Sequence, residues 1–234
     1  MATIKEVLAQ FELQPSTDFH VFGGEVIAAA SAIETNYRKS VYDHRPYIQH
    51  LEPDSLLAQA VKTEQYRIGY ACFKREVARV LKPQSILEIG VGMGISGLAF
   101  LNGYPLASYL GIDNDSDPSF PIKPSQYVIG KMNEQGYKSL ITIADTQKLD
   151  VLPISDLVHV DGDHRKAAVR NDVALAWKSG AKWILCDDAR DSEVVAGTFE
   201  ALYEDLNRGS IEWAYFPDTW TGNLLIRTDH RRGK

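Results

Sequence analysis

The sequence predicts an α/β fold, a doubly wound, seven-stranded and mostly parallel sheet preceded by a helical region. Three observations lead there. From Ser85 onward short apolar runs alternate with helix-length stretches, the pattern of βαβ units. The last two runs, Ile211–Phe216 and Asn223–Thr228, are separated only by Pro217 to Gly222. That gap is too short for a crossover helix, so these two strands pair antiparallel. Residues 1–82 have a different texture, without such alternation.

Taken in order, Glu25–Arg38 is alanine-rich, and Glu64–Leu81 places Tyr66, Tyr70, Phe73, Val77 and Val80 at helical spacing. Between them His44–Asp54 carries Pro46 and Pro53 and reads as a loop. The parallel strands are Ser85–Ile89, Tyr109–Asp113, Leu140–Ala144, Leu157–Val160 and Trp183–Cys186. Helices are expected near Ile95–Asn102, Ser125–Gln135, Lys166–Trp177 and Ser192–Asn207. The chain divides into a helical lid or oligomerisation region (1–82), a sheet domain (83–228) and a short tail (229–234).

Hydrophobic residues at 44% and charged residues at 24% are ordinary globular usage, so a sizeable core can form. A net charge of -6 argues against a nucleic-acid partner, which calls for a basic face. No run approaches the roughly 20 apolar residues of a membrane span, so no membrane partner is expected. Cys72 and Cys186 form neither a metal-type pair nor a disulfide framework, which fits a cytoplasmic location. The apolar N-terminal helices leave room for a homodimer.

In a doubly wound sheet, ligands bind beyond the carboxyl ends of the strands, where strand order reverses. The candidate site residues all follow strands. In the run Glu88-Ile-Gly90-Val-Gly92-Met-Gly94-Ile-Ser96, three glycines open a tight turn into a helix start with free N–H groups. Glu88, at the strand end, is placed to reach the cleft. Asp113 ends the second strand, and Asp145-Thr146 follows the third. Gly92, Gly94 and Gly97 with Asp113 also fit the dinucleotide fingerprint of a nicotinamide oxidoreductase.

The fourth strand runs into Asp161-Gly-Asp163-His164 and the fifth into Asp187-Asp188. Carboxylates converging at one edge repel one another and raise their pKa values unless a cation joins them. Hard oxygen donors suit Mg²⁺, with Mn²⁺ or Ca²⁺ as alternatives. Adjacent strand residues point to opposite faces, so Asp187 and Asp188 share an ion only if the chain has already turned. His164 follows Asp161 at a strand-to-helix turn and suits proton abstraction near neutral pH. His159, in mid-strand, reads as structural.

The stretch Glu88-to-Ser96 resembles motif I of class I S-adenosylmethionine methyltransferases. That resemblance implies that Glu88, Gly90, Gly92, Gly94, Ser96, Asp113, Asp145, Thr146 and Asp161 form the donor site. Asp113 would take the ribose hydroxyls, and Asp145-Thr146 would lie at the adenine. The segment 161–188 is similar to metal-dependent O-methyltransferases acting on sugars and natural products. It implies Asp161, Asp187 and Asp188 as ligands of Mg²⁺ or another divalent cation, and His164 as general base. The implied acceptor is a small-molecule hydroxyl, one of an adjacent pair of oxygens. The catechol-type branch carries Asn where this chain has Asp188. The resemblance covers Ser85 to Thr228, and residues 1–82 resemble no family. A metal-independent methyltransferase acting on an amine, and a nicotinamide oxidoreductase, stand as alternatives. Tyr37, Tyr42 and Tyr47 are candidates to stack on an acceptor ring, or are packing residues.

Overall fold

The computed structural model describes residues 20–22, 26–39, 70–116, 124–208, 210–219 and 221–228. The loop 44–54, the tyrosines at 42 and 47, and the tail lie outside them, as does most of the 64–71 stretch. The elements are β1 His20–Phe22, α1 Val26–Lys39, α2 Cys72–Leu81, β2 Ser85–Ile89, α3 Ile95–Gly103, β3 Ser108–Asp113 and α4 Pro124–Glu134. They continue with β4 Lys138–Ile143, a 3₁₀ turn Thr146–Lys148, β5 Leu157–Val160, α5 Lys166–Lys178 and β6 Trp183–Cys186. Then come α6 Ser192–Ala201, α7 Tyr203–Asn207, β7 Glu212–Phe216 and β8 Asn223–Arg227.

One sheet runs in the order β1-β7-β8-β6-β5-β2-β3-β4. Strands β2 to β6 are mutually parallel, and β8 pairs antiparallel with both β6 and β7. The seven expected strands are all present. An eighth, β1, pairs antiparallel with β7 and comes from the region read as helical. The helix expected over Ser192–Asn207 is two, because Leu202 leaves helical geometry at φ -111 and ψ 11.

Alternation along each strand divides the core. Ile86, Leu157, Leu185, Ala214 and Leu225 pack with residues of α1 to α4 on one face. Leu87, Val158, Ile184, Trp213 and Ile226 pack with residues of α5 and α6 on the other. That alternation is what the period-2 pleat requires of a sheet covered on both faces. α2 ends because Lys82 turns left-handed at φ 49, its N–H bonded to the Ala78 carbonyl, and Pro83 cannot continue the helix. Strand order reverses between β2 and β5, and the candidate residues sit there.

α5 and α6 approach closely at Gly197, where an added Cβ would stand 2.6 Å from the Lys166 carbonyl oxygen. Gly197→Ala is therefore expected to force the helices apart and lower stability by about 1–3 kcal/mol. A urea midpoint equal to that of the unaltered chain would show that the contact is not tight.

Candidate active site at the carboxyl edge of the sheet

The loop after β2 is built from left-handed glycines: Gly90 at φ +82, Gly92 at φ +48 and Gly94 at φ +71. A Cβ at Gly90 would stand 2.0 Å from the Asp161 carbonyl oxygen, whereas one at Gly92 would meet nothing within 4 Å. The loop is therefore pressed against the end of β5 on one side and open on the other. Gly94 caps α3 with no side chain, which leaves the helix start free for a ligand. The open side is a cleft of about 570 Å³, lined among others by Ser96, Asp113, Asp145, Thr146 and Asp161.

Asp113 Oδ2 accepts hydrogen bonds from Val91 N at 2.8 Å and Gly92 N at 3.0 Å, and Oδ1 accepts one from Asp115 N at 2.7 Å. The acid thus also organises the glycine loop. Asp145 accepts from Gln147 N at 3.0 Å and pairs with Lys148 at 3.2 Å, capping the 3₁₀ turn, while Thr146 is mostly buried. On the cleft floor, burial raises the Asp172 carboxyl to about 6, against hydrogen bonds from Thr146, Asn171 and Gln147.

Glu88 departs from its expected place. It is 0% exposed and is not among the residues lining the cleft. Its carboxylate accepts from Tyr109 Oη and, at 2.8 Å, from His159 Nδ1. The physical reason is register: Glu88 pairs across the sheet with His159, and both lie on the interior face covered by Phe100. His159, in mid-strand, is fully buried between Glu88 and Phe100.

The acidic edge also differs in detail from expectation. Asp161, His164 and Asp188 each offer a ligand atom within 4.8 Å of the others. His164 Nε2 lies 3.1 Å from Asp188 Oδ2 and 3.8 Å from Asp161 Oδ1. Asp188 is left-handed at φ 51, an unusual state for a residue with a Cβ. This turn separates the two acids. Asp188 faces His164, whereas Asp187 is fully buried with its Oδ2 2.9 Å from Lys74 Nζ. Asp187 Oδ1 accepts from Thr221 Oγ1 at 2.8 Å. Of the expected ligand set, then, Asp161 and Asp188 come together with His164, and Asp187 is engaged by a lysine.

Sequence reasoning passed over two residues here, both around the start of α2. Tyr70 Oη donates to Asp161 Oδ2 at 2.8 Å. Its single proton being so used, the 2.6 Å contact with Ser96 Oγ has the serine as donor. Lys74 follows Tyr70 by four positions and precedes Val77 by three, so it falls on the apolar stripe. A lysine on such a stripe was the available signal of a buried anion. Tyr37, by contrast, packs: its ring meets Phe73 edge-on at 5.8 Å, and its hydroxyl donates to the Asp218 carbonyl at 2.8 Å.

The electrostatics follow from these contacts. The neighbouring Asp161 carboxylate, helped by the charges of Asp188 and Asp187 and opposed by partial burial, raises His164 to about 9. Burial and the charges of Asp187 and Asp161 raise Asp188 to about 6. Burial would also raise Asp187, but the Lys74 charge, with His159 and the hydrogen bonds, holds it below the usual carboxylate range. Asp163 is exposed, paired with Arg165 and lowered by it.

No family model and no curated protein matches the chain. Solved structures do. An SAH-bound methyltransferase from Podospora anserina is 18% identical with a TM-score of 0.52, over 96% of this chain and 94% of that one. A methyltransferase from Geobacter sulfurreducens is 15% identical with a TM-score of 0.51, over 97% and 100%. A protein from Klebsiella pneumoniae, provisionally named an O-methyltransferase, is 16% identical with a TM-score of 0.51, over 89% and 91%. At these identities the likeness is one of fold. Among the described residues no helix is long and apolar enough to cross a membrane.

In the ion-free protein the His164 imidazole is expected to titrate near 9, followed by long-range ¹H–¹⁵N NMR and assigned with His164→Gln. A folded value above the ordinary 6.5 means that the proton stabilises the fold. That contribution is complete below about 6.5 and is lost as pH rises through about 9. A midpoint at 6.5 would contradict the arrangement.

Proposed function

We propose that this chain transfers the methyl group of S-adenosylmethionine to a hydroxyl oxygen of a small molecule, with a divalent cation at Asp161 and Asp188. The observation that carries the reading is the meeting of two features at one residue. The glycine loop that would seat the donor is packed on the backbone of Asp161, whose side chain belongs to the acidic cluster. Donor and acceptor are thereby brought to one place, which is most of what such a reaction needs.

The donor half fits this cleft. Gly92 leaves open space where a side chain would stand, and Asp113 is a carboxylate at the end of the second parallel strand, suited to two vicinal hydroxyls. Asp145 and Thr146 line the same cleft beyond it, where an adenine ring would lie. Tyr70 and Ser96 bridge from that cleft to Asp161 and fix its carboxylate.

The acceptor half fits a cation by its donor set: two carboxylates, neither of them spent on a lysine or arginine among the contacts described, with the His164 imidazole beside them to act on a proton. A divalent ion there would hold a pair of adjacent acceptor oxygens, acidify the reacting hydroxyl and relieve His164 of its role as counter-charge. His164, half exposed at the mouth of the cluster, takes the hydroxyl proton. The acceptor oxygen forms its bond to the methyl carbon as the carbon–sulfur bond breaks. S-adenosylhomocysteine and the methyl ether are the products. The proton ends on His164 Nε2. The region before the sheet supplies one wall through Tyr70 and, in this reading, the lid. We place the reaction in the cytoplasm, with a homodimer as the form to test.

Calorimetric titration with S-adenosylhomocysteine tests the donor half. The chain is expected to bind it one to one. Asp113→Ala is expected to weaken binding about tenfold or more, since a charge-assisted pair of hydrogen bonds is lost. Binding of NADH in its place would establish the oxidoreductase alternative. For the acceptor half, Asp188→Asn is expected to lower methyl transfer to a vicinal diol by about 100-fold or more, with S-adenosylhomocysteine affinity kept. Full activity of that variant in EDTA would remove the cation from the mechanism.

A further inference from the structure

Lys74 has no place in the reaction described above, yet it is among the most completely buried side chains of the protein. It is 0% exposed. Its ammonium stands 2.9 Å from Asp187 Oδ2, 2.7 Å from Asn223 Oδ1 and 4.4 Å from the centre of the Tyr70 ring. The Asp187 contact lies off the hydrogen-bond axis, so charge rather than direction holds it. These partners come from the segment just before α2, the end of β6 and the start of β8, so the cage is made by tertiary structure. It is also braced: Asn223 Nδ2 donates to Thr219 Oγ1 at 2.7 Å, which donates to the Phe216 carbonyl at 2.9 Å.

Removing an ammonium from water this fully is costly, and is compensated only where a fixed anion waits for it. Asp187 is that anion, and both of its oxygens are engaged. Of the three carboxylates at this edge, Asp161 and Asp188 keep some exposure and Asp187 keeps none. Lys74 neutralises the innermost of the three.

We infer that Lys74 is a built-in monovalent cation of the acidic edge, which withdraws Asp187 from the ligand set and leaves a divalent ion to Asp161, Asp188 and their immediate surroundings. The part concerning the divalent ion rests on the function proposed above; the part concerning Lys74 and Asp187 stands on the geometry alone. Two consequences follow. The fold closes without any ion, because the buried Asp187 carboxylate is already paired. The ion, with fewer charged ligands than the edge could offer, is held weakly and exchanges.

The test uses the full chain, MnCl₂ as the probe, and two readouts, calorimetric affinity and thermal midpoint. The unaltered chain is expected to melt at the same temperature in EDTA as in buffer. Asp187→Asn is expected to keep Mn²⁺ affinity within about threefold, whereas Asp188→Asn loses about tenfold or more. Lys74→Met leaves Asp187 without its counter-charge, and Mn²⁺ can then take that role. This variant is expected to bind Mn²⁺ about tenfold more tightly than the unaltered chain, and its midpoint to rise further on adding the ion. The double variant Lys74→Met, Asp187→Asn is expected to lose both gains. If Lys74→Met folds only when Mn²⁺ is present, the inference is supported. If it stays unfolded in Mn²⁺ while the double variant folds, or gains no affinity, the inference is overturned. It is also overturned if Asp187→Asn costs as much Mn²⁺ affinity as Asp188→Asn. An unaltered chain that binds no Mn²⁺ removes the cation of the proposed function, and the Lys74→Met arm still decides the role of the lysine.

Discussion

Charge balance where β5 and β6 end is the constraint on which the site depends. Asp161, Asp187 and Asp188 reach one edge of the sheet because two neighbouring parallel strands stop there together. Left alone they would oppose one another's ionisation. The structure answers at two depths. In the interior, Lys74 meets Asp187, both wholly buried. Nearer the surface, the half-exposed His164 meets Asp188 and Asp161. The inner pair is permanent, since either charge alone would be expensive to bury. The outer cluster is open to exchange, which is what a site for a cation or a proton requires.

The glycine loop ties this edge to the cleft. Gly90 admits the Asp161 backbone at a distance no side chain would allow, and Asp113 holds the next two N–H groups of the loop. The carboxylate expected to bind a ribose is thus the one that shapes the loop. Tyr70 then joins Ser96 at the start of α3 to Asp161. Through Tyr70 and Lys74, the region before the sheet contributes two side chains to the site and shares its core with the rest of the protein.

The fold was legible because its signals are local. Short apolar runs gave the strands, the short gap at 217–222 gave the antiparallel pair, and the texture shift near Pro83 gave the start of the parallel sheet. β1 was not legible, being three residues long and fixed by pairing with β7 rather than by its own pattern. The site was legible to the level of the strand ends. Asp113, Asp161, His164 and Asp188 lie where strand ends put them. Glu88 does not line the cleft, and Asp187 turns to Lys74 rather than to His164, because facing is decided by pleat and by a single left-handed residue. A strand end names the residue but not the side of the sheet to which its carboxylate turns. Lys74 left a trace in the sequence as a cation on an apolar stripe. Its partner, some hundred positions away, could be found only from the tertiary structure.

The central claim is that a donor cleft and a cation site share Asp161. Anomalous diffraction at the manganese edge, from crystals grown with S-adenosylhomocysteine and MnCl₂, tests it most directly. The expected result is an anomalous peak between the Asp161 and Asp188 carboxylates, with the homocysteine sulfur directed toward it from the glycine loop. A manganese peak on Asp187 with Lys74 displaced, or a nucleoside bound elsewhere than beside Asp113, would contradict it.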